Sequence, residues 1–166
     1  ELETLPATIE ALEHEQREIT ERMSRPDYHR GGPEQIKVDR LRAAGLDPYP
    51  ARSYRSHTVA EAVAEYVDAE ASGRDAGSRQ VCLVGRLVGA RRLMGGAAFV
   101  HLMDGGGRVQ LHLRRNLMGE EEFQRFKADF DPGDFVSALG TVFRTRTGEV
   151  SLAVERLTML AKSLLP

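Results

Sequence analysis

Tryptophan is absent from the 166 residues, aromatics reach only 6%, and cysteine occurs once, at Cys82. A single thiol excludes an intramolecular disulfide framework. Its place in an apolar, strand-like stretch reads as a buried reduced thiol of a cytosolic protein rather than a catalytic nucleophile. No apolar run approaches the roughly 18 residues that a bilayer-spanning helix needs. The N-terminus also lacks a basic-then-apolar leader pattern, so the expectation is cytoplasmic, with no membrane partner. Net charge is scarce too. At −2 it argues against a general polyanion binder.

The balance conceals a segregation. Residues 1–24 carry seven Glu against Arg17 and Arg22, whereas residues 79–115 carry Arg79, Arg86, Arg91, Arg92, Arg108, Arg114 and Arg115 against Asp104 alone. A local positive field of that kind favours an anionic partner for the second region.

Three stretches organise the chain. In residues 1–45, Leu2, Leu5, Ile9, Leu12, Ile19 and Met23 recur at three- and four-residue steps with Gln16 in the polar gap, a heptad stripe. Pro6 suits a first helical turn and Pro26 ends the helix. Pro33 opens a second helix, "PEQIKVDRLRAAG", with Ile36, Val38, Leu41 and Ala44 apolar and Gly45 as its stop. The expectation is an antiparallel helical hairpin or coiled-coil arm. Residues 46–78 form a connector in which Thr58 and Glu61 make a capping box ahead of a short helix, "VAEAVAEYV", followed by a polar loop.

From residue 79 to 166 the period changes to two. Strand one is "QVCLVGRLVGARRL", with Gly85 and Gly89 as sites of bend or bulge. Strands two and three flank "DGGG". A helix over "NLMGEEEFQRFKADF" turns Leu117, Phe123, Phe126 and Phe130 to one side. "FVSALGTVFRTRT" and "EVSLAVERLTMLA" follow as strands four and five. Three strands, a helix and two more strands is the order of a five-stranded Greek-key barrel, the OB-fold. The fold class is therefore α+β, mainly β, with helices ahead of the barrel.

The hairpin "AFVHLMDGGGRVQLHL" exposes the chemistry. A turn at Asp104–Gly107 sets Leu102 opposite Val109 and Val100 opposite Leu111, a wholly aliphatic face that belongs in the core. Phe99, His101, Gln110 and His112 then share the outer face. An aromatic ring covers the π-face of a nucleobase, worth about 1–3 kcal/mol per base. A glutamine amide is donor and acceptor at once, and Arg91 and Arg92 at the end of strand one suit phosphate or a base edge. An exposed Phe99 could equally be core sealed by the N-terminal helices. His101 and His112 lack a third ligand at suitable spacing, so neither metal nor cofactor is expected. "GGGR" joins two strands and opens no helix, so it is a turn and not a phosphate cradle.

From about residue 35 to 166, "LRAAGLDPYP", "HTVAEA", "VGRLVGARRLMGGAAFVHLMDGGGRVQLHL" and "FDPGDFVSALGTVFRTRTGEVSLAVERLTMLAKSLLP" resemble the N-terminal anticodon-binding domain of bacterial class II lysyl-tRNA synthetases. The "RRLMG" loop and "TRTGE" turn separate it from aspartyl and asparaginyl relatives. The resemblance implies that the domain grips the anticodon loop of a lysine tRNA. The family's stacking aromatic falls on Phe99, its base-reading glutamine on Gln110, its strand-one arginine on Arg91, and the acidic residue of the last turn on Glu149. Arg92, His112, Arg144 and Arg146 complete the expected nucleic-acid-binding set. Where the family commonly has a lysine, this chain has Gly96. The class II ATP-binding motifs are absent, so the resemblance implies no amino-acid activation by this polypeptide alone, only as part of a lysine–tRNA ligase.

Residues 1–37 resemble instead the C-terminal coiled-coil hairpin of some ABC-F ATPases. Two rival functions stay open: a general single-strand-binding OB module, and a coiled-coil interaction scaffold. Homodimerisation through the N-terminal helices or the barrel is open as well.

Overall fold

The computed structural model describes residues 14, 16–18, 20–21, 33–45, 47–50 and 53–163. The heptad positions Leu2 to Met23 and the prolines Pro6 and Pro26 lie outside them. The chain divides into two compact units, one reaching to Pro48 and the other beginning at Tyr49.

In the first unit, residues 14, 16–18, 20 and 21 are helical, and helix α1 spans Pro33–Ala43. Val38 and Leu41 are buried, and Gln16 Nε2 donates to the Ala43 carbonyl at 2.7 Å. Ala44, expected on the apolar face, is an exposed turn residue. The helix stops one position earlier because Gly45 takes a left-handed φ of +72°.

The second unit opens with α2, Val59–Ala71. Thr58 and Glu61 form the capping box: the Thr58 hydroxyl accepts from Glu61 N, and the Glu61 carboxylate accepts from Thr58 N at 2.8 Å. Those bonds hold the Glu61 carboxyl below its ordinary pKa, the backbone bond contributing most. The helix runs on through Asp68–Ala71, where the sequence pattern predicts loop. Alanine and glutamate there favour helix, and the first strong breaker is Gly73 at φ +66°.

Five strands follow: β1 Gln80–Met94, β2 Ala97–Met103, β3 Arg108–Arg114, β4 Phe135–Arg144 and β5 Val150–Ala161. They close into a barrel in the order β1-β2-β3-β5-β4, with β3 and β5 parallel and every other pair antiparallel. This is the expected OB-fold. Leu83, Leu87, Val100, Leu102, Leu111, Leu113, Val136 and Leu152 fill its core. Two glycines let the sheet curve. Gly89 adopts φ +73° where the β1–β2 register slips between Val88 and Arg92. At Gly140 a Cβ would lie 2.0 Å from the Ala153 carbonyl oxygen, so only glycine permits that approach.

Two short helices plug the barrel end, α3 Arg115–Met118 and α4 Glu120–Asp129. The single expected helix is broken at Gly119, whose φ of +92° resets the phase. In consequence Met118 is buried and Leu117 is exposed, reversing the assignment made for Leu117, while Phe123, Phe126 and Phe130 are buried as expected. Cys82 is a buried free thiol.

Candidate nucleic-acid interface

The β2–β3 hairpin pairs Leu102 with Val109, Val100 with Leu111, His101 with Gln110, and Phe99 with His112. Its turn is closed by Asp104. One carboxylate oxygen accepts from Gly106 N and Gly107 N, and the other accepts from Val59 N at 2.9 Å, tying the turn to the start of α2. With the aliphatic side committed to the core, Phe99, His101, Gln110 and His112 are left partly exposed on the outside.

The outer face is one wall of a groove of about 850 Å³. Three of the four rings that line it form a row. Phe99 stacks on His112 with centroids 4.4 Å apart and planes 12° from parallel, and His112 in turn meets Phe143 at 5.6 Å. His112 Nδ1 is buried without a hydrogen-bond partner among the described residues. Burial, and secondarily the neighbouring Arg114, pushes its pKa below the ordinary histidine value, which favours the neutral ring.

Beside the rings lies a polar cluster. Gln110 Nε2 donates to Glu149 Oε2 at 2.8 Å, and the Ser151 hydroxyl donates to Gln110 Oε1 at 3.2 Å. His101 Nε2 is 3.5 Å from the other Glu149 oxygen. Glu149 is held by a turn that binds itself: Thr145 N donates to the Glu149 carbonyl at 2.9 Å, and Glu149 N donates to Thr145 Oγ1 at 3.0 Å. A glutamine amide has two N–H donors and two lone pairs on oxygen. With one of each already engaged, Gln110 still offers one donor and one acceptor.

Basic side chains surround the groove unequally. Arg92, Arg114 and Arg146 line it, are exposed, and have no ion pair among the described residues. Arg144 also lines it, but its guanidinium forks onto both Glu70 carboxylate oxygens, with Nε at 3.0 and 3.1 Å, and its Nη1 donates to the Gly148 carbonyl. That pairing lowers the Glu70 pKa and raises that of Arg144.

The groove thus brings together seven of the eight residues anticipated from sequence: Arg92, Phe99, Gln110, His112, Arg144, Arg146 and Glu149. Arg91 stands apart. Its Nη1 donates to the Phe126, Lys127 and Phe130 carbonyls at the end of α4, and its Nη2 lies 3.5 Å from Asp131. The sequence singles out neither Phe143 nor Ser151, and it marks Arg114 only as one of the basic residues between 79 and 115. Phe143 was within reach, since it follows buried Val142 in a strand that alternates inward and outward, as Phe99 does before Val100.

A closed five-stranded barrel of this order, with an aromatic and basic groove on β2–β3, defines an OB-fold nucleic-acid-binding domain. Residues 81–160 match the family described as OB-fold nucleic acid binding domain. Over 130 residues the chain is 50% identical to the lysine–tRNA ligase of Chloroflexus aurantiacus and 48% identical to that of Roseiflexus sp. strain RS-1, which is 78% of this chain and 26% of each relative. The lysine–tRNA ligase of Methanospirillum hungatei is 40% identical over 128 residues, 77% of this chain and 25% of that protein. The barrel is thus similar to the OB-fold nucleic-acid-binding family and to the matching part of these lysine–tRNA ligases. The chain spans about a quarter of the length of these curated relatives.

Proposed function

We propose that this chain binds the anticodon loop of a lysine-accepting tRNA, as the RNA-gripping portion of a lysine–tRNA ligase acting in the cytoplasm. One observation carries the reading: a ring stack and an oriented amide share one groove. Phe99, backed by His112, offers a flat surface to an unstacked base, and Gln110 offers a donor and an acceptor to its edge. Uracil presents N3–H as donor flanked by carbonyl acceptors, a pattern one free amide donor and one free amide acceptor satisfy together. Arg92, Arg114 and Arg146, unpaired among the described residues, are suited to the phosphates that lead the loop into the groove. Glu149, being an acceptor only, holds Gln110 and keeps a lone pair for a flanking base.

The test is binding of a lysine-tRNA anticodon stem-loop by titration. Phe99→Ala is expected to weaken it by about 1–3 kcal/mol, the value of one stacked base. Exchanging the central uridine for cytidine is expected to weaken binding to the parent protein, which a sequence-blind single-strand binder would not register. Parent-like affinity of Phe99→Ala would make Phe99 a packing residue and remove this site, and no RNA binding at low salt would favour a scaffold.

A further inference from the structure

Ser151 sits on β5 with its side chain wholly removed from solvent, opposite Gln110 of β3 in the parallel ladder and opposite Phe143 of β4 in the antiparallel one. A buried hydroxyl needs a partner. Here its proton goes to Gln110 Oε1 at 3.2 Å, with the Glu149 carbonyl at the margin of contact at 3.5 Å.

The two ends of the Gln110 amide therefore face groups of opposite demand. Glu149 Oε2 is a carboxylate oxygen and can only accept, so it requires nitrogen. The Ser151 hydroxyl supplies its proton from the other side, so it favours oxygen there, since its alternative acceptor is the more distant Glu149 carbonyl. A flipped amide would turn its oxygen to a carboxylate and its N–H₂ to a hydroxyl already placed as a donor. The Glu149 contact would be lost, and the hydroxyl could accept from the amide only by turning its proton to the Glu149 carbonyl, at the 3.5 Å margin of contact.

We propose that Ser151 is a specificity-determining positioning residue, which acts through Gln110 by fixing which end of its amide donates and which accepts toward a bound base. This inference rests on the anticodon-loop reading of the groove. Ser151 itself touches no RNA, and its depth beneath the groove leaves it no route to do so. What it controls is selectivity. An amide held by Glu149 alone flips at lower cost, and a flipped amide satisfies cytosine, with an acceptor N3 and a donor N4, in place of uracil, with the reverse pattern.

The experiment measures the ratio of affinities for two anticodon stem-loops, one with uridine and one with cytidine at the central position, using the full chain. Four proteins are compared: parent, Ser151→Ala, Ser151→Thr and Gln110→Ala. Alanine is smaller than serine and fits the buried site. Thermal unfolding of each variant checks that the barrel is intact. Ser151→Ala is expected to lower the uridine-to-cytidine preference about five- to tenfold, mainly by losing uridine affinity, the scale of one hydrogen bond's worth of orientation. Ser151→Thr, which keeps the hydroxyl, is expected to restore the preference.

A preference unchanged in Ser151→Ala but lost in Gln110→Ala would overturn the role of Ser151 and leave the groove reading standing. Equal weakening of both RNAs by Ser151→Ala would also overturn it, since a merely structural defect does not choose between bases. A preference that survives Gln110→Ala would sink the groove reading itself.

Discussion

Two clusters of charge in the barrel unit are built from similar residues and behave in opposite ways. At the junction of α4, β4 and β5, Lys162 is buried with every ammonium proton committed: to the Asp129 carbonyl at 2.8 Å, Asp131 at 2.7 Å and Asp134 at 2.8 Å. Asp134 is itself buried and accepts further from Asp131 N and Ser163 N. In the groove, Arg92, Arg114 and Arg146 stand exposed and unpaired among the described residues. The contrast is sharpest between sequence neighbours. Arg91 closes the end of α4, while Arg92 faces the groove. A charge whose partners are all internal fixes the fold, and a charge left without one is available to a polyanion.

Breaking the closed cluster is expected to give the largest effect. Lys162→Met removes the cation from between two carboxylates and leaves Asp134 buried and uncompensated. Loss of one partner of a buried pair typically costs about 3–5 kcal/mol. Urea unfolding should show that loss, while the folded fraction binds RNA as the parent does. A stability unchanged within error would mean that the cluster relaxes to admit water and holds nothing together.

The neighbouring arginines sharpen the comparison further. Arg91→Ala strips a charged donor from the α4 carbonyls and from Asp131, for an expected loss of about 1–3 kcal/mol in unfolding free energy. The dependence of RNA affinity on salt should stay as it is. A changed salt dependence would show that Arg91 swings to the RNA on binding. Arg92→Ala should do the reverse: stability held, affinity lowered by less than about 1 kcal/mol, and the slope of log affinity against log salt reduced by about 0.7–0.9 for one phosphate contact.

That pair also marks how far the sequence could be read. The barrel was legible because strand parity is strict: once Val100, Leu102, Val109 and Leu111 claim the core, Phe99 and Gln110 have nowhere to point but outward. The groove followed from that parity and from the family resemblance. The division of labour between Arg91 and Arg92 did not. A long side chain at a bulged strand end can turn either way, and its choice depends on carbonyls about 35 to 39 residues later. Met118 was hidden for a related reason, because a glycine at 119 restarts the helix and cancels the phase that favoured Leu117. Ser151 carried no signal as a lone serine beside a turn. Its role exists only once β3 and β5 lie side by side.

The smallest expected effect concerns the ring between the two phenylalanines. His112 is held below its ordinary pKa, chiefly because burial penalises the imidazolium and additionally because Arg114 repels it. The folded chain therefore takes up this proton less readily than the unfolded chain. Near and below the ordinary histidine pKa of 6.5, the unfolded state binds more protons, so stability rises with pH in that window. The contribution of the neutral ring is complete above that value and is lost progressively as pH falls beneath it. Substituting His112→Phe keeps an aromatic in the stack and removes the titration. The difference in unfolding free energy between parent and variant, measured from pH 7 to pH 5, isolates this one group from the carboxylates that titrate lower. The parent is expected to lose ground against the variant across that range. Parallel profiles would mean that the imidazole reaches water freely, and the groove would then lack the dry wall that backs Phe99 against an incoming base.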